Sequence, residues 1–172
     1  MPIGTPIPDS YWVIPGKLLA GEYAGQPTDV GAIDRLKRFL NAGVNAFIDL
    51  TEANEGLRPY EHLLPELKNY AGRVIQYKRM PIRDQDVTSI DAMREITSLI
   101  GHLINDGNVV YVHCWGGIGR TGTVIGCFMK EQWGVSGEES FELLEDLRKN
   151  TPDAHWPSPA TNAQRDMVLR WV

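Results

Sequence analysis

Cysteine is scarce in this chain of 172 residues: only Cys114 and Cys127 occur. Two cysteines cannot form a disulfide framework. No C-x-x-C or paired Cys/His spacing is present, so neither a zinc site nor any other metal is expected. Histidine is sparse too, and His62, His102, His113 and His155 are scattered along the chain. No apolar run approaches the roughly 20 residues that a helix needs to span a bilayer, so no membrane partner is expected. The opening MPIGTPIPDSYW has no basic segment followed by an apolar stretch, so no secretory leader is read there. Positive charge is not in excess: 17 Lys and Arg stand against 22 Asp and Glu, a net charge of -5. General nucleic-acid binding, which rests on phosphate neutralisation, is therefore not expected. Cytoplasmic residence is the default that these absences leave.

What remains is an ordinary globule, 42% hydrophobic and 23% charged. The length predicts one domain over 1–172. Such a chain buries enough surface to need no covalent or metal staple. Strand-like and helix-like segments alternate. Residues 10–14 and 17–21 read as short strands around the turn Pro15-Gly16. Ile33, Leu36 and Leu40 fall at helical spacing within 28–42, and Gly43 stops that helix. Residues 44–50 and 73–79 read as strands, with a loop over 51–59 and a helix over 60–70 that Pro65 perturbs or restarts. A helix over 89–105 starts from Thr88 or Ser89, and VVYVH at 109–113 reads as a fully buried strand. Helices are expected over 120–133 and, from the capping box at Ser136 and Glu139, to about 149. Ser158-Pro159 reads as the cap and first turn of a last helix. The alternation predicts a single α/β domain with a four- or five-stranded, mostly parallel sheet and helices on both faces.

The chemistry concentrates in the stretch from Val109 to Gly122, VVYVHCWGGIGRTG. The spacing C-x5-R between Cys114 and Arg120 is common by chance. Its setting is not: the pair lies between a buried strand and an amphipathic helix, with Gly116, Gly117 and Gly119 between them. Glycines remove the Cβ atoms that would stop a backbone curling round a small anion. The N–H groups of such a loop point inward, and the following helix adds its partial positive charge. Arg120 offers a planar fork for two phosphate oxygens. A cysteine at the base of that cradle is favoured as the thiolate, the form that attacks phosphorus.

The run His113-Cys114-Trp115-Gly116-Gly117-Ile118-Gly119-Arg120-Thr121-Gly122 resembles the active-site loop of the cysteine-dependent protein tyrosine phosphatases. The short chain resembles their small dual-specificity, prokaryotic-like branch. SYWVIPGKLLAGEYAG resembles that branch's first strands, and SPATNAQRDMV its C-terminal helix. The resemblance implies hydrolysis of phosphate monoesters without a cofactor. Cys114 would form a cysteinyl-phosphate, while Arg120 and the N–H groups of Trp115, Gly116, Gly117, Ile118 and Gly119 hold the phosphoryl oxygens. Thr121 would hydrogen-bond the sulfur and His113 would brace the loop. An aspartic acid upstream would protonate the leaving oxygen. Pro81-Ile82-Arg83-Asp84 resembles the family's Pro-x-x-Asp, which favours Asp84 over Asp86. Gln164 resembles the glutamine that places the hydrolytic water in some members. Phosphate, sulfate or vanadate is expected to occupy the loop, and a monomer is expected.

Departures from the family pattern refine the substrate. No Trp-Pro-Asp surrounds the acid, which weighs against strict tyrosine specificity. The loop interior has no Lys or Arg, which disfavours phosphoinositides. Trp115 either packs beneath the loop or forms a pocket wall. Residues 58–83 hold six basic residues against two acidic ones, so Arg58 and Arg83 either extend a positive field toward a phosphorylated protein or peptide or form a solvated face. Cys127 is read as a core residue, Trp156 and Trp171 as packing residues, and the three other histidines as surface positions. Two rivals stay open. One is the same chemistry on a nucleotide, sugar or inositol phosphate. The other is a module that binds phosphopeptides without turning them over.

Overall fold

The computed structural model describes residues 3–172. Its strands are β1 (Ser10–Ile14), β2 (Leu18–Gly21), β3 (Ala46–Asp49), β4 (Gln76–Arg79) and β5 (Val110–His113). They form one sheet in the order β1-β2-β5-β3-β4, parallel except for the β1–β2 hairpin. The helices are α1 (Asp29–Asn41), α2 (Leu64–Ala71), α3 (Ile90–Asn105), α4 (Gly119–Trp133), α5 (Gly137–Arg148) and α6 (Asn162–Arg170). This is the single α/β domain expected. Among the described residues no helix is long and apolar enough to cross a membrane.

Strand side chains alternate between faces, and the core divides accordingly. Leu19, Phe47 and Tyr111 face Leu36 and Phe39 of α1 and Leu64 and Leu67 of α2. Leu18, Ala20, Ala46, Ile48, Val110 and Val112 face Met93, Ile96 and Ile100 of α3, Val124 and Phe128 of α4 and Val168 of α6. β5 is covered on both sides, so all four of its residues are buried. β4 lies at an edge and leaves alternate residues exposed.

Local chemistry sets the boundaries. Ser89, rather than Thr88, caps α3 by accepting from the Ala92 N–H at 3.1 Å. Pro65 sits in the first turn of α2, where its missing N–H costs nothing, so a 3-10 turn at Glu61–Leu63 precedes the helix. Cys127 is buried in the core as expected.

Two expectations are corrected. Ser158-Pro159 does not open the last helix: α6 starts at Asn162, capped by Thr161, and the Ser158–Pro159 peptide is cis. The Ser158 hydroxyl donates instead to the Ile118 carbonyl at 2.6 Å, because Gly122 leaves room for it against α4. Trp156 is not packed away. It is 57% exposed and stacks on His155, whereas Trp171 is buried.

Candidate active site

β5 sits between β2 and β3 and ends in His113, so Cys114 emerges at the carboxyl edge of the sheet, where open α/β folds bind ligands. The loop then turns back within five residues to start α4 at Gly119. Gly117 makes that possible. Its φ is +74°, and a Cβ there would lie 2.3 Å from the backbone carbon of Gly21. The Tyr23 N–H donates to the Trp115 carbonyl at 2.8 Å, which ties the other end of the loop to the segment after β2.

The Cys114 sulfur is buried at the base of this turn. It accepts from the Gly117 N–H at 3.3 Å and from the Thr121 hydroxyl at 3.1 Å. Both donors fix the sulfur at the N-terminal end of α4.

Arg120 is held on several sides although its side chain is only 1% exposed. Nη1 donates to the Ile82 carbonyl at 2.9 Å and, at 3.4 Å, to that of Leu50. Glu55 grips the outer edge with both oxygens, Oε1 on Nη1 and Oε2 on Nη2, the latter at 2.9 Å. Burial alone would raise the Glu55 carboxyl. The bonds from Arg120 and from the Glu52 N–H outweigh it and hold the group below the ordinary carboxylate range. Asp84 Oδ1 is 3.1 Å from Arg120 Nη2, and its side chain is 53% exposed. The Asp86 carboxylate is turned to its own loop and accepts from the Val87 N–H at 2.8 Å. Geometry thus separates the two candidate acids, since Asp84 alone of the pair contacts Arg120.

His113 is buried behind the loop. Nδ1 lies 3.1 Å from the Cys114 carbonyl and Nε2 2.6 Å from the Tyr60 hydroxyl. A neutral imidazole with its proton on Nδ1 satisfies both contacts, donating to the carbonyl and accepting from the phenol. Burial lowers its affinity for a second proton, and the facing Asp49 only partly opposes that. Asp49 is itself fully buried at the end of β3. Its Oδ1 accepts from the Thr51 N–H at 2.9 Å and the Thr51 hydroxyl at 2.6 Å, and its Oδ2 from the Tyr77 hydroxyl at 2.8 Å. Arg79 lies 3.6 Å away. Burial would raise this carboxyl, but the bonds from Thr51 and Tyr77 keep it below the ordinary carboxylate range.

Gln164 is buried against Gly119 and is the N3 residue of the α6 capping box. Its Oε1 accepts from the Ala160 and Thr161 N–H groups, and its Nε2 donates to the Asp86 carbonyl at 3.2 Å. It therefore joins the loop of Asp86 to the start of α4. Arg58 lies away from the cradle, bound to Asp29 at 2.8 Å, and Arg83 is exposed. Trp115 is 52% exposed and lines a groove with Tyr23 and Leu57, so it forms a wall and does not pack beneath the loop. No group of three or more acidic, histidine or cysteine side chains able to hold a metal occurs among the described residues.

Sequence reasoning missed Glu55, Asp49 and Tyr60. Asp49 left a signal: a lone acid ends the buried strand NAFIDL and must find partners there. Glu55 left none, since it sits in a polar loop whose path only the fold reveals.

A family model described as a polymorphic toxin system DSP-PTPase phosphatase matches residues 23–132. A protein named as a tyrosine phosphatase, 067L of Invertebrate iridescent virus 3, is 30% identical over 145 residues, 80% of this chain and 58% of the viral protein. Dual specificity protein phosphatase 2 of Mus musculus is 30% identical over 81 residues, 46% of this chain and 26% of the mouse protein. This chain thus spans little more than half of the first and about a quarter of the second. Among solved structures, Tk-PTP in the active form aligns with a TM-score of 0.68 at 24% identity, over 94% of each chain. Kinase associated phosphatase aligns at 0.69 and 19% identity, over 88% of this chain and 83% of that one. At these identities the solved structures speak to the fold.

Proposed function

Since this chain belongs to the DSP-PTPase phosphatase family, within the cysteine-dependent protein tyrosine phosphatases, we propose that it hydrolyses phosphate monoesters on proteins, phosphotyrosine first and phosphoserine or phosphothreonine second. The observation that carries this reading is the Cys114 sulfur, bonded by Gly117 and Thr121 inside a turn that Arg120 closes.

In the first step the Cys114 sulfur attacks phosphorus. The S–P bond forms as the ester P–O bond breaks, and the leaving oxygen takes a proton from Asp84. In the second step a water oxygen attacks phosphorus and gives its proton to the Asp84 carboxylate. The S–P bond then breaks and releases the thiolate, which the Thr121 hydroxyl receives as a hydrogen bond. Loop N–H groups stabilise the equatorial oxygens throughout. Arg120 has five N–H donors. Glu55 takes one from each terminal nitrogen and Ile82 another from Nη1, so Nε and the remaining Nη2 proton are left for two phosphoryl oxygens. Asp84 lies beside that second proton and is displaced outward toward the leaving group as phosphate arrives. Gln164 positions the acid loop, His113 braces the turn, and the exposed Arg83 extends the positive field around the entrance, whereas Arg58 is neutralised by Asp29. We take residues 1–172 as one phosphatase unit that works as a monomer. A reducing compartment, the cytoplasm, suits its two free thiols.

The test is rapid-quench hydrolysis of an aryl phosphate without metal. Wild type is expected to give a burst or a trapped phosphoenzyme that Cys114→Ser abolishes. Asp84→Asn is expected to lose roughly 100-fold or more in kcat and to lose the basic limb of the pH profile. Vanadate binding without any turnover would overturn catalysis in favour of phosphopeptide binding alone.

A further inference from the structure

The Cys114–Arg120 loop presents different chemistry at its two ends. At the Arg120 end lie Glu55 and the exposed polar loop of Arg83, Asp84, Gln85 and Asp86. At the Trp115 end a groove of about 700 Å³ opens, walled by Trp115, Tyr23, Leu57, Pro27 and Pro59. That volume falls in the range that holds a substrate fragment. The walls are tied in place. The Tyr23 hydroxyl donates to the Arg58 carbonyl at 2.8 Å, and a Cβ on Gly25 would sit 3.3 Å from that same carbonyl. Arg35 fixes the segment after β2 by bonding Glu22 and, at 2.9 Å, the Tyr23 carbonyl. The charges at the rim are already matched, Arg35 by Glu22 and Arg58 by Asp29. Apart from those pairs and Gln26, what the groove offers a visitor is mainly apolar and aromatic surface. Trp115 keeps about half of its surface in solvent, although a large ring gains by being covered.

We propose that this groove is the specificity subsite of the phosphatase reaction, and that it takes an apolar side chain next to the phosphorylated residue of a peptide substrate. The inference rests on the phosphatase reading above. Position supports it: Trp115 is bonded directly to the nucleophile Cys114, so a peptide with its phosphate in the loop has its neighbouring residue within reach of the groove. Chemistry supports it too, because an acidic neighbour would find no unmatched cation there and would lose water against Leu57 and the two prolines. The opposite end of the loop suits polar neighbours, so the site reads the substrate asymmetrically.

The experiment compares kcat/KM for two short phosphotyrosine peptides, one flanked by leucine and one by aspartate, with phenyl phosphate as the substrate that has no flank. Wild type is expected to favour the leucine peptide by roughly tenfold, mostly through KM, the usual scale for an apolar contact in a pocket. Leu57→Asp is expected to erase that preference, lowering the leucine peptide at least five times more than phenyl phosphate. Equal wild-type kcat/KM for the two peptides would overturn the subsite without touching the phosphatase reading. So would a Leu57→Asp loss of the same size on all three substrates. Preference for a nucleoside monophosphate over both peptides would overturn it in favour of a base stacked on Trp115. Failure of wild type to hydrolyse even phenyl phosphate would instead overturn the phosphatase reading, and the subsite with it.

Discussion

Replacing Glu55 by glutamine isolates the grip on Arg120. The pair is nearly dry, with side-chain exposures of 1% for Arg120 and 8% for Glu55. Losing one partner of a fully buried ion pair costs about 3–5 kcal/mol. Two features reduce that figure here. Glutamine keeps one acceptor, and Arg120 keeps the Ile82 and Leu50 carbonyls and Asp84. What disappears is the anionic character of one charge-assisted bond and the whole of the other, so the loss should be about 2 kcal/mol. For a domain of this size that lowers Tm by about 4–8 °C. The same freedom lets the guanidinium leave its productive orientation, and kcat/KM should fall by roughly 10- to 30-fold. Because Glu55 holds its proton less tightly when folded, its contribution is complete above the ordinary glutamate range and is lost as pH falls through its lowered folded value. The variant should therefore lose less stability in acid than wild type does. Calorimetry across pH, with vanadate titration as a second readout of Arg120, checks each part. Wild-type Tm and wild-type vanadate affinity in Glu55→Gln would refute the argument that Glu55 positions the arginine.

Three further outcomes follow from single contacts. Gly117→Ala should destabilise the protein by more than about 3 kcal/mol or abolish its folding, because the left-handed φ and the approach to Gly21 leave no room for a methyl group; near wild-type denaturant stability would contradict this. Cys127, with burial pushing its thiol up to about 12, should resist iodoacetamide at neutral pH while Cys114 reacts, as peptide mass spectrometry would reveal. His113 is held neutral by burial, so the unfolded chain takes up a proton that the folded one refuses as pH drops through the ordinary histidine range. The urea midpoint should fall between pH 7 and 5, and His113→Asn, whatever its own stability, should flatten that slope; equal slopes in the two proteins would remove His113 as the cause.

How much of this was legible in the sequence differs by residue. Hydrophobic patterning located most helices and strands within a few positions, because β2, β3 and β5 are buried on both faces and read as short apolar runs, whereas 3.6-residue spacing on α3 serves one buried face. The Gly-rich turn was legible for a different reason, since a chain that wraps an anion has few residue choices. The last helix was misplaced because Ser-Pro is a good helix opener by local chemistry, yet here Ser158 bonds Ile118 across 40 positions. Glu55 was invisible for the same reason: its partner Arg120 lies 65 positions away, and local spacing carries no trace of it. Asp84 could be favoured over Asp86 by resemblance, but only the fold shows that one carboxylate meets Arg120 while the other caps its own loop.

The residues that were hidden share one origin. Asp49 ends β3 and Glu55 follows it in the next loop, so the strand beside β5 delivers both anions that stand behind the cradle. A loop built from inward N–H groups, a helix N-terminus and an arginine concentrates positive potential, and without counter-charges that potential would strain the fold before any phosphate arrived. Placing the two carboxylates outside the cradle resolves this. Asp49 is tied up by Thr51 and Tyr77 beneath His113, and Glu55 sits on the outer edge of Arg120. Glu55 orients Arg120, and neither carboxylate bonds the N–H groups of the loop. The exposed Asp84 is the exception, since it touches Nη2 of Arg120 from the solvent side. In the proposed reaction Asp84 is the carboxylate that exchanges a proton with solvent-side groups, and its exposure suits that role, whereas the Asp49 and Glu55 side chains are buried.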